Sequence, residues 1–141
     1  MPSDHRLVLY HKHPSSGRTL FLRLHETICQ FDGISSASRL VEKHLGEDQV
    51  TEDLSELLTD AEQSLGMSKG SLEIDRDFKV IIDDSGTRIQ VYLARFTTLD
   101  APEEQLVERG GKFIAITEAR RLPPNELELL RLAYSAIMDE L

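Results

Sequence analysis

Cysteine occurs once in this sequence, so no internal disulfide is available to staple it. Cys29, inside "HETICQF", reads as a small buried hydrophobe of a chain that lives in a reducing cytoplasm. Long apolar runs are also missing. None approaches the ~20 residues of a membrane-spanning helix, and the opening "MPSDHRLVLYHKH" carries charge where a signal peptide needs an apolar stretch. Positive charge is scarce: 16 Lys and Arg stand against 25 Asp and Glu, for a net charge of −9. Such a surface repels nucleic-acid phosphates and anionic lipid, which argues against both as partners. Internal repeats, low-complexity tracts and linkers are absent, and at this length one core suffices, so residues 1–141 are expected to form a single domain.

What is present is periodicity. "RLVLYHKHPSSGRTLFLRLHE" holds two alternating runs joined by Pro14-Ser15-Ser16-Gly17, a hairpin in which Leu7, Leu9, His11, His13, Leu20, Leu22 and Leu24 share one face and Val8, Tyr10 and Phe21 the other. Both faces are partly apolar, which calls for a sheet covered on both sides. "ASRLVEKHLG" spaces Leu40, Val41 and Leu45 as a short helix ending on Gly46. From Thr51, Leu54, Leu57, Leu58, Ala61 and Leu65 form the stripe of an amphipathic helix that ends at Gly66. A second hairpin follows, with Phe78, Val80 and Ile82 before the turn Asp83-Asp84-Ser85-Gly86 and Ile89, Val91 and Leu93 after it. "DAPEEQLVERGGK" reads as a polar loop, "FIAIT" as a strand, and "PPNELELLRLAYSAIMDEL" as a long helix with Asn125 and Glu128 at capping-box spacing. From that helix, Leu127, Leu130, Leu132, Ala133, Tyr134, Ile137 and Met138 are expected in the core. The order predicts an α+β fold, a mixed sheet with helices on both faces.

Chemistry-bearing residues are few. Glu52, Asp53, Glu56, Asp60 and Glu62 flank the apolar stripe of their helix and read as its solvated face. His11 and His13 sit two apart on one strand, but their expected cross-strand neighbours, Leu20 and Arg18, are not metal ligands. Arg109, Lys112, Arg120 and Arg121 bracket the last strand beside Gly110-Gly111, a pattern compatible with a small anion-binding corner or with an ordinary bend. No serine sits in a nucleophile elbow, and no histidine stands in a recognisable relation to Cys29.

The segments "LGMSKGSLEI", "VYLARF", "APEEQLVERGG", "KFIAIT" and "EARRL", with the opening hairpin, resemble a Nudix domain over about two thirds of the chain. That resemblance implies a Nudix-like α/β/α sandwich and, in active members, Mg²⁺ or Mn²⁺ held by glutamates of a metal helix. Laid on this chain from Gly66-Met67, the motif's Arg falls on Thr59, the next Glu on Asp60, the apolar position on Ala61 and the paired glutamates on Gln63 and Ser64. Its upstream Glu falls on Thr51 and its Gly on Leu45. Only Asp60, Ala61, Gly66 and Met67 fit, and an amide and a hydroxyl ligate a hard cation weakly. The expectation is a small binding or regulatory module without the hydrolase site and without a cofactor. Its partner would be a protein or a nucleotide-like anion bound near Arg109, Lys112, Arg120 and Arg121. Two alternatives stand beside it. One is an atypical Nudix-type pyrophosphohydrolase using Mg²⁺ on Asp60 and Glu62, with Glu103, Glu104 or Glu108. The other is an acidic protein-interaction or chaperone-like protein, which could be a homodimer.

Overall fold

A hairpin with two apolar faces needs a layer on each side, and the computed structural model, which describes residues 4–138, supplies both. Strands β1 (His5–Lys12) and β2 (Thr19–Arg23) pair antiparallel with Tyr10 opposite Phe21 and His11 opposite Leu20. The expected Pro14–Gly17 loop sets that register, closed by the His13 amide on the Arg18 carbonyl at 2.9 Å. β3 (Arg39–Leu45), α1 (Ser55–Ser64), β4 (Leu72–Asp84), β5 (Thr87–Phe96), α2 (Glu103–Val107), β6 (Lys112–Ile114), a 3₁₀ segment (Ile116–Arg121) and α3 (Pro124–Met138) follow. The strands form one six-stranded sheet in the order β3-β4-β5-β1-β2-β6, with β1 and β5 parallel and the other pairs antiparallel.

Alternation then sorts the core. Val8, Tyr10, Phe21, Phe78, Val80, Ile82, Val91 and Leu93 pack on one face against Leu129, Leu130, Ala133 and Ile137 of α3. Leu7, Leu9, Leu20, Leu22, Tyr92 and Phe96 pack on the other against Ala61 of α1, Leu65 and Leu106 of α2. The β4–β5 hairpin turns in two residues, Ser85 and Gly86, at φ of 54° and 92°, the left-handed pair that matches strand twist. Of the expected terminal-helix contacts, Leu130, Ala133 and Ile137 are buried, while Leu127, Leu132, Tyr134 and Met138 are only partly so. Leu129, outside that set, is fully buried. Asn125 forms no side-chain bond to Glu128; its Nδ2 donates to the Ser35 carbonyl at 2.6 Å and to Ser38 Oγ at 2.8 Å, tying the preceding loop to α3.

Three expectations are corrected. The segment read as a helix ending on Gly46 is the edge strand β3, pairing Leu40 with Ile82 and Leu45 with Phe78. Seven residues are too few for a helix to stabilise itself, and the free edge of the 13-residue β4 satisfies their backbone groups instead. A bulge between Leu40 and Glu42 breaks the outer edge, which discourages pairing with a further strand. The loop "DAPEEQLVERGGK" contains α2, because Leu106 is buried completely and one helical turn brings it inward. α1 begins four residues after the expected Thr51, since the stretch before it runs along β4: the Gly46 amide bonds to Asp77 O at 3.0 Å and the Val50 amide to Arg76 O at 2.9 Å. No helix among the described residues is long and apolar enough to cross a membrane.

In that stretch the Glu52 carboxylate accepts a hydrogen bond from Lys79 Nζ, which holds its pKa below the ordinary 4.5. A depressed carboxylate stabilises the fold above its unfolded pKa and loses that contribution as pH falls through the folded value. Glu52 is 36% exposed, so solvent screens the pair to about 0.5 kcal/mol. Glu52→Gln should therefore unfold slightly earlier than wild type in urea at pH 7, and the two midpoints should converge as pH falls below the depressed pKa of Glu52.

Candidate functional site

Helix α1 was the place to look for metal ligands, and each of its carboxylates has a definite position. Glu62, expected on the solvated face, is 3% exposed. Its Oε2 accepts the amides of Gly70 at 2.8 Å and Leu72 at 3.0 Å, so it fastens the loop after α1 to the start of β4. Asp60, two positions earlier and therefore about 200° around the helix, is exposed, as are Gln63 and Ser64. Asp53 sits before the helix, and its Oδ1 accepts the Ser55 hydroxyl at 2.7 Å and amide at 3.0 Å. Those bonds hold its carboxyl below the usual range.

The Leu65-Gly66-Met67 sequence has a purely local reason. The Met67 amide bonds to Glu62 O at 2.9 Å and the Gly66 amide to Gln63 O at 3.0 Å, with Gly66 at φ 70°, the paired bonds of a Schellman helix stop. Arg109 completes this end: its Nη1 donates to Ser64 O at 3.1 Å, and a Cβ on Gly66 would lie 2.2 Å from its Nη2. Three of the four positions that fit the Nudix motif are thus required by the helix itself, Ala61 for packing and Gly66 and Met67 for termination. Glu103, Glu104 and Glu108 are exposed on and just after α2. No group of three or more His, Cys, Asp or Glu side chains placed to hold a metal ion occurs among the described residues. On α1, Asp60 is exposed and Glu62 is buried, and the two do not come together.

The four cations expected around the last strand divide. Arg109 is engaged by α1, and Arg120 is exposed on the 3₁₀ segment. Lys112 and Arg121 come together, joined by a residue that the sequence reading left out: Arg23, directly across the β2–β6 ladder from Lys112. These three line a cavity of about 200 Å³ with Glu118, whose Oε1 accepts the Ala115 amide at 2.9 Å. Pairing across the sheet was the missing signal, since β2 and β6 are about ninety residues apart in the chain.

A larger cleft of about 840 Å³ opens where β4 shifts register between Asp75 and Lys79. Lys12, Arg76, Arg95, Glu73, Asp75 and Asp77 line it, so acids and bases are mixed. Arg95 and Glu73 pair at 3.4 Å, and Asp75 Oδ1 accepts the Asp77 amide at 3.0 Å while its Oδ2 is buried without a partner. The polar run Asp75-Arg76-Asp77, which interrupts an otherwise alternating strand, is the sequence trace of this cleft.

His11, His13 and Cys29 have structural roles. His11 Nε2 donates to the Thr98 carbonyl at 2.8 Å, and His13 Nε2 lies 3.5 Å from Asp100 Oδ1, so both hold the loop after β5. Cys29 is buried, and burial, then the charge of Glu126, push its thiol far above the usual range, which suits a packing residue and not a nucleophile.

No protein-family model matches the chain, and no curated protein matches it. Among solved structures, the crystal structure of a C. elegans Ap4A hydrolase, a Nudix enzyme, is similar in fold. The match has a TM-score of 0.52 and 19% identity over 95% of this chain and 96% of that one. The chain has a Nudix-like α+β fold.

Proposed function

We propose that this Nudix-like fold serves here as a binding module for a small anionic ligand and does not carry out metal-dependent hydrolysis. One observation carries the reading: Glu62, the only buried carboxylate of α1, is committed to the amides of Gly70 and Leu72, and with Gln63 and Ser64 at the positions of the paired glutamates, Asp60 is the one acid left there. A single carboxylate with water holds Mg²⁺ poorly, because that ion gives up its own waters reluctantly. The net charge of −9 excludes most polyanionic partners, so an anionic ligand must find a local basic pocket, and the fold contains one.

The competing reading is an atypical pyrophosphohydrolase, favoured by the similarity in fold to an Ap4A hydrolase. The two are separated by incubating the protein with Mg²⁺ or Mn²⁺ and Ap4A, nucleoside diphosphates and nucleoside triphosphates, and following phosphate, pyrophosphate and mononucleotide release against a metal-free control. No metal-dependent product is expected. Metal-dependent turnover would sink the reading, and its abolition by Asp60→Ala would place the ligands on α1 after all. No turnover and no saturable nucleotide binding would move the function to protein interaction.

A further inference from the structure

We propose that Arg23, Lys112 and Arg121 form a binding cradle for a phosphoryl dianion, at the edge of the sheet and on the face covered by α3. The inference rests on the anionic-ligand reading above and gives it a site.

Three features of the pocket point to an anion as its ligand. Arg23 and Lys112 are direct cross-strand partners in the β2–β6 ladder, and like charges placed directly opposite destabilise a sheet. Arg23 Nε is buried with no hydrogen-bond partner, although a buried donor left unmade costs free energy. Finally, Arg121 is brought to the same pocket by the 3₁₀ segment, where Ala119 and Leu122 are buried and fix the backbone on either side. None of the three cations takes part in an ion pair among the described residues. Lys112 and Arg121 are exposed and Arg23 is half-buried, so the pocket opens to solvent and an anion can reach all three cations from outside. Glu118 is the one acid in the lining, and its Oε1 is occupied by the Ala115 amide.

An anion between the strands would screen the Arg23–Lys112 repulsion and give Arg23 Nε an acceptor. Two guanidinium forks and an ammonium suit a tetrahedral dianion with several acceptor oxygens better than a single carboxylate. At about 200 Å³ the cavity is smaller than the roughly 300–1,000 Å³ of pockets that enclose whole ligands. It takes a phosphoryl head group and leaves the remainder of the molecule outside. The site lies on the opposite face of the sheet from α1, so it is independent of the metal helix.

The test is a titration of the ¹⁵N-labelled protein with inorganic phosphate, pyrophosphate and acetate in EDTA. Saturable amide shifts at residues 22–24, 112–114 and 118–122 are expected with phosphate and pyrophosphate and not with acetate. Arg121→Gln and Lys112→Gln should each weaken binding roughly fivefold or more, the loss of one charge-assisted contact, while Arg120→Gln, beside the pocket but outside its lining, should leave affinity unchanged. Lys112→Glu offers a second readout: by pairing with Arg23 it should abolish phosphate binding while raising the melting temperature. Phosphate binding that ignores Arg121 and Lys112, shifts centred on Lys12 and Arg95, no saturation, or a lowered melting temperature in Lys112→Glu would each overturn the cradle. Because the titration is run in EDTA, hydrolysis seen with Mg²⁺ would defeat the non-hydrolytic reading and leave the phosphate result standing.

Discussion

Leu130→Ala should lower the melting temperature by roughly 6–20 °C, from a loss of about 2–5 kcal/mol. Leu130 is fully buried in the cluster where α3 meets Phe78, Val80, Val91 and Leu93 of the sheet. Truncation removes its apolar surface from the core and leaves a cavity that strands on one side and a helix on the other cannot close. α3 is the main cover of that face, so the loss falls on the whole fold and not on a detachable end. Leu99→Ala is the control: Leu99 is 67% exposed, and its truncation should stay within about 0.5 kcal/mol of wild type. Equal melting curves for Leu130→Ala and wild type would mean that α3 is peripheral.

The parts of the fold legible in the sequence are those with a strong period of their own. Leu7 and Leu9 against Val8 and Tyr10 declared both faces of a covered sheet, and the apolar stripes of α1 and α3 were visible in the same way. β3 was not legible, because Leu40, Val41 and Leu45 satisfy helical spacing as well as a bulged strand, and the free edge of β4 decides between them. Leu106 hid inside a polar segment for a similar reason: one buried leucine sets no period. Buried acids are harder still. Glu62 and Glu126 look like surface residues in the sequence, yet Glu126 Oε1 accepts the Thr27 hydroxyl at 2.7 Å and the Ile28 amide at 2.9 Å, partners almost a hundred residues away. The basic pocket was half legible, since Lys112 and Arg121 lie near each other in the chain while Arg23 reaches them only through sheet pairing.

Glu62→Ala should cost about 2–4 kcal/mol in EDTA, because it strips the shared acceptor from the Gly70 and Leu72 amides, the latter fully within the core layer. Glu62→Gln should cost less, since its amide oxygen, placed where Oε2 lies, can still accept both bonds at a weaker, uncharged strength. Asp60→Ala, at an exposed position, should change stability by less than about 0.5 kcal/mol. The pattern separates a structural carboxylate from a metal ligand. A ligand for Mg²⁺ contributes nothing in EDTA beyond its own desolvation, and removing it would leave apo stability equal or higher while erasing any metal-dependent rise in melting temperature. A loop anchor gives the reverse: a large loss without metal, and a wild-type melting temperature that millimolar Mg²⁺ does not move. Urea unfolding of the three variants with and without Mg²⁺ decides the matter. A Mg²⁺-dependent stabilisation of wild type that disappears in Glu62→Ala or Asp60→Ala would return α1 to the role of a metal helix and make hydrolysis the function to pursue.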